Sequence, residues 1–471
     1  MLVTVETMTR WCSRLLRADP AEVRLSLEDY LQSIPRLDSL ADVPHGTPVL
    51  VRGDLDAKPG ATVGEGDVRL RSMVDTLSFG RQRGWKQVVF GHIGRKPEGS
   101  LKAVCRRLSE LLSCEVPLVT DWLDEASLTI ADAVARTIAD DAAPGSVLVL
   151  ENARRYEIER VLWHAKPADA AALAGRLARL ANECAAKLAR IYINEALSAG
   201  SLDSTSTIVP AGMDRVALGR YVAAEFDGPM RRCLRTQLVV FSGLKTDKLD
   251  DLEAMIGRGT IRWVFTAGSL AMALKKAAAQ IDGGDFCAGV AEDPAHRDKP
   301  YFIAPDRINQ ARRMLESGRR KGIRFVLPCD FVLADGHAAE RIGPADQQFD
   351  VGPRTNELFE QQVGVFIEES RGAAAAGAPV AFHNGVFGMF EDPRFEEGTR
   401  RFVGQLKRMT DAGVEVYVGG GEGGTALERY GKPDWVTHCF TAGGTVLNAL
   451  GANPVPYLQA LRMAALRREP R

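Results

Sequence analysis

Charged side chains in this chain gather where apolar runs stop. Residues 49–60 read VLVRGDLDAKPG, so Arg52, Asp54 and Asp56 follow directly on Val49, Leu50 and Val51. Arg69 opens the next amphipathic stretch, GHIGRKP (91–97) brings His92 and Arg95, and LENARRYE (150–157) brings Arg154. Cationic groups at the ends of strands suit a small, multiply charged acid, held by charge-assisted and often bidentate hydrogen bonds. The tripeptide Arg52-Gly53-Asp54 also occurs in adhesion ligands. That use needs an exposed loop, and here the tripeptide leaves a run of buried-strand type.

A second group of loops suits phosphates. VVFSGLKTDKLDDLEAMI (239–256) reads as strand, tight turn at Gly243, then helix, with Lys245 and Lys248 three apart and so on one face. Helix N–H groups at that point already favour an anion. VYVGGGEGGTALERYG (416–431) repeats the arrangement: Gly420, Gly421 and Gly423 allow close backbone approach, and Glu422 offers an oxygen ligand for Mg²⁺. It is not a Walker A loop, because no G-K-[ST] follows. IRWVFTAG (261–268) ends on Gly268, FTAGGTVLNALG (440–451) supplies Gly443 and Gly444, and AFHNGVFGMFED (381–392) sets Asn384 and Glu391 around a turn.

The elements that position these loops alternate. Strand-like runs at 49–52, 86–91, 146–151 and 190–197 are separated by helical stretches such as 69–84, 101–114 and 167–189. The rhythm restarts with strands at 236–243, 261–268, 322–328, 378–385 and 414–421. A β-α-β-α order predicts mostly parallel sheets covered by helices, with ligand sites beyond the C-terminal strand ends. The expected organisation is an N-terminal extension (1–35), an acceptor domain (36–213), a nucleotide domain (214–440) and a C-terminal segment (441–471) packing back on the first domain. With a net charge of −1 among 471 residues, nothing global attracts nucleic acid or an anionic membrane. No apolar run reaches the roughly 18–20 residues of a spanning helix. The eight scattered cysteines read as buried thiols of a reducing cytoplasm, and the seven histidines show no metal-ligand spacing.

Ten ordered motifs resemble the phosphoglycerate kinase family over residues 36–455. VLVRGDLDAKPG is similar to V-R-V-D-F-N-V-P, GDVRLRS to D-D-x-R-I, GHIGRKP to S-H-L-G-R-P, VLVLENARRY to L-L-L-E-N-x-R-F and IYINEAL to Y-V-N-D-A-F. FSGLKTDK, DVGPRT, FHNGVFGMFE, GGGEGG and FTAGGT resemble the family's G-G-A-K-V-x-D-K, D-I-G-P-K-T, W-N-G-P-M-G-V-F-E, G-G-G-D-[ST] and S-T-G-G-G-A. The resemblance implies an α/β fold of two Rossmann-like three-layer α/β/α domains joined by a hinge helix. The acid binds the first and Mg-ATP the second, and the domains close for transfer. It further implies that Arg69 stabilises the transferring phosphoryl group, with Lys245 and Lys248 neutralising it from the nucleotide side.

Departures cluster on the acceptor side. Where the family has G-T-A-H-R-A-H-A-S, this chain reads SAGSLDSTST (198–207). Leu202 replaces an Arg that helps hold the acceptor's phosphate, Asp203 follows it, and Ser201 and Ser204 replace two histidines. A lost charge-assisted hydrogen bond is worth roughly 1.5–3 kcal/mol, or about 10- to 150-fold in affinity. Asp56 replaces a family Asn. On the nucleotide side Glu422 replaces Asp, Gly423 a hydroxyl residue and Val386 a Pro, while the Lys pair is one residue closer. The expectation is an ATP-dependent carboxylate kinase forming an acyl phosphate on a small acid other than 3-phosphoglycerate. A downstream enzyme that consumes this product is an open partner. The rival readings are a glycolytic phosphoglycerate kinase and a catalytically silent nucleotide-binding protein.

Overall fold

The computed structural model describes residues 2–17, 25–244, 248–371, 377–451 and 453–467. The chain divides into two compact units, Met1–Asp227 with Pro454–Arg471, and Gly228–Asn453. The first is built on six parallel strands: β1 (Pro48–Gly53), β2 (Lys86–Phe90), β3 (Leu118–Val119), β4 (Val147–Leu150), β5 (Ile191–Glu195) and β6 (Arg215–Leu218), in spatial order β3-β4-β2-β1-β5-β6. The second sheet holds β7 (Leu238–Gly243), β8 (Trp263–Ala267), β9 (Arg324–Val326), β10 (Val380–Asn384), β11 (Glu415–Val418) and β12 (His438–Cys439), ordered β9-β8-β7-β10-β11-β12. Every pairing in both sheets is parallel.

Burial explains the composition of the strands. Parallel sheets covered on both faces need apolar side chains on both, and all residues of β4, β5, β7, β8 and β10 are buried. The covering helices are amphipathic. In Lys102–Leu112 the buried Val104, Cys105, Leu108 and Leu112 recur every three or four residues. The eight cysteines are all free.

Two expected boundaries move. Residues 214–227 belong to the first unit, because Arg215–Leu218 is its sixth strand and pairs with β5. In the expected N-terminal extension, helix Val5–Leu15 packs on Ala170–Lys187, and Trp11 Nε1 donates to the Thr207 carbonyl at 2.8 Å. In the C-terminal segment, helix Gly443–Leu450 packs on Lys248–Gly257 in the second unit. Helix Pro456–Leu466 packs on Leu27–Ser33 and Ser204–Thr207 in the first. The stretch expected as one helix over 69–84 is two, Val68–Ser72 and Val74–Gln82.

At the end of β5 a buried acid organises the helix that leads out of the first unit. Glu195 accepts from Thr76 Oγ1 at 2.6 Å and from the Tyr221 and Val222 N–H groups at 3.0 and 3.3 Å, at the start of helix Arg220–Glu225. A side chain at Gly219 would collide with Glu195 Oε2. Burial pushes the Glu195 carboxyl up to about 7, against the three hydrogen bonds that favour its charge. The folded chain therefore holds this proton between the unfolded value of about 4.5 and about 7, so this group's contribution to stability falls as pH rises across that window. The fall amounts to something on the order of 3 kcal/mol. Glu195→Gln should remove it. Urea midpoints of both proteins between about pH 4.5 and 7.5 test this, and parallel pH profiles would refute the assignment.

Candidate functional site

In the first unit the motif residues meet beyond the C-terminal strand ends, but not as an open ring of cations. Arg52 at the end of β1 is 1% exposed. Its Nε donates to Thr205 Oγ1 and Ser206 Oγ, both at 3.1 Å, and its Nη1 to the Gly53 carbonyl at 2.6 Å. Arg154, just past β4, donates Nη1 to the Gly94 carbonyl at 2.6 Å and stacks its guanidinium over Trp163, 4.8 Å from the ring centre. Both guanidiniums face Asp203, which is wholly buried, at 3.6 Å for Arg52 and 3.2 Å for Arg154. Trp163 Nε1 donates to Asp203 Oδ1 at 2.8 Å. Of the cations expected to hold a multiply charged acid, Arg52, His92 and Arg154 are buried around the chain's own carboxylate.

Burial works against charge on Asp203, but the charges of Arg154 and Arg52 hold its carboxyl well below the usual range. His92 Nδ1 faces a donor and an acceptor at once, Arg52 Nη2 at 2.8 Å and Asp203 Oδ2 at 3.2 Å. Burial lowers the ring's pKa while Asp203 pulls the other way. The shorter contact and the burial favour a neutral ring accepting from Arg52, which leaves the guanidiniums as the principal partners of Asp203. Glu159, fully buried beneath them, accepts from Thr205 Oγ1 and N–H, and burial followed by the Asp203 charge pushes its carboxyl up to about 8. His92, Glu159 and Asp203 bring ligand-type atoms within 4.8 Å of one another. Two guanidiniums already supply the positive charge there, which disfavours a divalent ion.

The rim of this cluster is more open. Arg69 is one-quarter exposed, donates to the Asp56 carbonyl at 2.9 Å and lies 3.2 Å from Asp56 Oδ2. Asp56 also accepts from the Gly94 N–H at 2.8 Å. Burial opposes its charge, yet that bond and the Arg69 charge keep its carboxyl low. Asp54 is buried and accepts from Ser198 Oγ at 2.7 Å. Arg95 is exposed and Leu202 half-buried, so Leu202 supplies neither charge nor a polar side-chain group.

In the second unit a cavity of about 340 Å³ opens at the end of β7. Gly243, Gly268, Glu391 and Glu422, all singled out in the sequence, line it. Gly243 and Gly268 form a backbone bridge that extends the β7–β8 pairing. Gly268 has φ +65°, and a Cβ there would lie 2.7 Å from the Gly243 carbonyl. Only glycine keeps this cradle open. Lys248 Nζ donates to the Ser242 carbonyl at 3.1 Å, close over Gly243. Lys245 lies outside the described residues.

The other glycines singled out in the sequence do not line the cavity. Gly421 (φ +75°) precedes helix Glu422–Tyr430, Gly423 is buried in its first turn, and Gly420 and Gly443 approach so closely that a Cβ on either would meet backbone. Gly444 opens the neighbouring helix with free space around it. Asn384 is buried at the end of β10, against Gly419, and does not line the cavity. Sequence reasoning missed Tyr301 and the wall from Gln347 to Phe349. That wall borders a three-stranded antiparallel sheet, Ala338–Ala339, Phe331–Leu333 and Gln348–Val351. The only available signal was the motif DVGPRT. Its Asp350, buried and pushed up to about 7, accepts from the Gly398 N–H beneath Gly388.

The donor types fit Mg-nucleotide: a glycine cradle for phosphate oxygens, a lysine at its edge, and the Glu422 carboxylate for a hard cation. A bound magnesium would offset phosphate charge, and the chain's own residues would position what it binds.

A family model described as phosphoglycerate kinase matches residues 40–453. The phosphoglycerate kinase of Salinispora tropica is 31% identical over 441 residues, covering 90% of this chain and 98% of its own. The cytosolic phosphoglycerate kinase of Triticum aestivum is 26% identical over 430 residues, covering 88% and 95%. Among solved structures, phosphoglycerate kinase from Pyrococcus horikoshii OT3 aligns with TM-score 0.68 at 22% identity, over 93% of this chain and all of that one. At that identity the likeness speaks for the fold. The cradle yields a direct test: Gly268→Ala should cost about 1–2 kcal/mol of stability through its left-handed backbone and weaken ATP binding measurably. Thermal melts with and without Mg-ATP read both, and unchanged affinity would remove Gly268 from the nucleotide site.

Proposed function

Because the chain belongs to the phosphoglycerate kinase family, phosphotransferases with a carboxyl acceptor, we propose that it transfers a phosphoryl group between Mg-ATP and the carboxylate of a small acid. The observation that carries this is the presence, at strand ends of the two sheets, of both a charged acid-type site around Arg69 and a glycine-lined phosphate-type cradle around Gly243 and Gly268. Such transfer needs in-line positioning and cationic compensation, with little covalent chemistry by the protein. Arg69 is the cation for the transferring group, Lys248 with Lys245 compensates on the nucleotide side, and Glu422 holds magnesium.

The chain passes between units at Asp227/Gly228, inside a π-helical turn, Phe226–Met230. Gly228 and Pro229 weaken the helix there, which suits a hinge. Among the described residues no helix is long and apolar enough to cross a membrane. Together with the cytosolic naming of the wheat relative, this supports a cytoplasmic enzyme.

The relatives' names favour 3-phosphoglycerate as the acid, over the different acid expected from the departures at Leu202 and Asp203. One observation favours the second reading: Asp203 already occupies the cations that a phosphate would seek. A hydroxylamine trap decides the reaction class. Protein, Mg²⁺ and ATP with a panel of carboxylic acids, 3-phosphoglycerate included, should yield hydroxamate with at least one acid, and silence across the panel would discard the kinase reading. With the active acid, Arg69→Ala should lower kcat by at least ~100-fold while leaving ATP affinity within about twofold, since it removes an interaction made in the transition state. Near-normal turnover would exclude Arg69 from that role.

A further inference from the structure

Four side chains that follow four neighbouring strands converge on one point. Arg52 ends β1, His92 follows β2, Arg154 follows β4, and Asp203 stands in the loop after β5. The Asp203 carboxylate receives Arg154 Nη2 at 3.2 Å, Trp163 Nε1 at 2.8 Å and, more distantly, Arg52 Nη2 at 3.6 Å, with His92 Nδ1 at 3.2 Å. Two guanidiniums and an indole N–H at the C-terminal edge of a parallel sheet constitute an anion site. Its anion is a residue of the chain.

The backbone holds Asp203 in place. Its carbonyl accepts from the Ser206 and Thr207 N–H groups at 3.0 Å and from Thr207 Oγ1 at 2.8 Å, which anchors the residue at the start of a short helix. Arg52 is held from behind by Thr205 and Ser206, and Thr205 in turn donates to Glu159. With Asp203 wholly buried and Arg52 only 1% exposed, a second anion brought by a ligand would meet a carboxylate where it needs a cation. The rim left to a ligand is Arg69, Asp56 and the neighbouring Gly94 loop.

We propose that Asp203 is a specificity-determining residue of the acceptor pocket. It takes the place of an anionic group on the substrate, so the acid phosphorylated here is a small carboxylic acid without a phosphate or second carboxylate at its far end. This rests on the carboxylate-kinase reading and selects between its two acids. Negative charge built against an anionic competitor is a recognised route to specificity. Trp163 is a positioning residue, acting through Asp203.

The test compares 3-phosphoglycerate with glycerate, the same acid without its phosphate, in the hydroxylamine assay with Mg-ATP. The parent should favour glycerate in kcat/KM by at least ~10-fold. Asp203→Asn should move that ratio toward 3-phosphoglycerate by about 10- to 150-fold, the range for a charge-assisted hydrogen bond. Trp163→Phe keeps a ring under Arg154, removes one donor to Asp203, and should move the ratio the same way by a smaller factor. Inorganic phosphate supplies a readout independent of turnover: it should raise the melting temperature of Asp203→Asn by more than that of the parent, which shares the second unit's phosphate-type cradle. A parent that prefers 3-phosphoglycerate overturns the inference and leaves the kinase reading standing. So does an Asp203→Asn protein with an unchanged ratio and no greater response to phosphate than the parent. If Asp203→Asn does not fold, the parent's ratio and the Trp163→Phe shift decide. No hydroxamate with any acid overturns the kinase reading, and the inference with it.

Discussion

Two guanidiniums taken out of water at the edge of the first sheet must find negative charge, and the chain satisfies them with Asp203. Removing one partner from a buried ion pair typically costs about 3–5 kcal/mol, because the remaining charge cannot be hydrated. That constraint shapes the surroundings. Trp163 lies against Arg154 and donates to the same carboxylate. Thr205 and Ser206 hold the far side of Arg52, while Glu159 sits beneath, its carboxyl pushed up by burial first and by the Asp203 charge second. Loops after β1, β2, β4 and β5 are tied through one buried carboxylate. The loop geometry of the first unit follows from it, and so does the separation between a sealed ionic cluster and the open rim at Arg69 and Asp56.

The second unit builds its candidate site differently. Its cavity is shaped by backbone, with charge reserved for the edges. Gly243 and Gly268 bring two strand ends into direct main-chain contact, and a side chain at position 268 would strike the opposite carbonyl. Backbone N–H groups are fixed donors that need no side-chain ordering, which suits a ligand that must be bound and released in each turnover. Lys248 is drawn back onto the Ser242 carbonyl, and Glu422 waits at the cavity wall. Charge on a side chain and geometry in the main chain thus divide the work between the two units.

Much of this was readable from residue order. Apolar runs such as Val147–Leu150 announced buried parallel strands because both faces of such strands are covered. The glycines at 243 and 268 announced close backbone approach, and Glu422, singled out as an oxygen ligand, stands at the cavity wall. Three features resisted. Arg215–Leu218 is too short and too polar at its start to stand out as a strand, so the domain boundary was drawn too early. The antiparallel strands beside the nucleotide-type cavity are three residues or so each, held by pairing across a long loop. Trp163 gave no signal, since its role depends on a carboxylate forty residues later.

The sequence by itself determined the class of fold, the family, and which residue types stand at the strand ends, because these depend on local periodicity and on short motifs. It also showed that Leu202 and Asp203 depart from the family pattern. What it could not decide was where Asp203 points. A carboxylate in a loop can face solvent, a ligand or a neighbouring arginine, and only the packing of the surrounding strands selects among them. The tertiary structure turned it inward, onto Arg52 and Arg154. Electrostatic pairing depends on distance and burial, and residues 52, 154 and 203 acquire both only when the sheet brings their strand ends together.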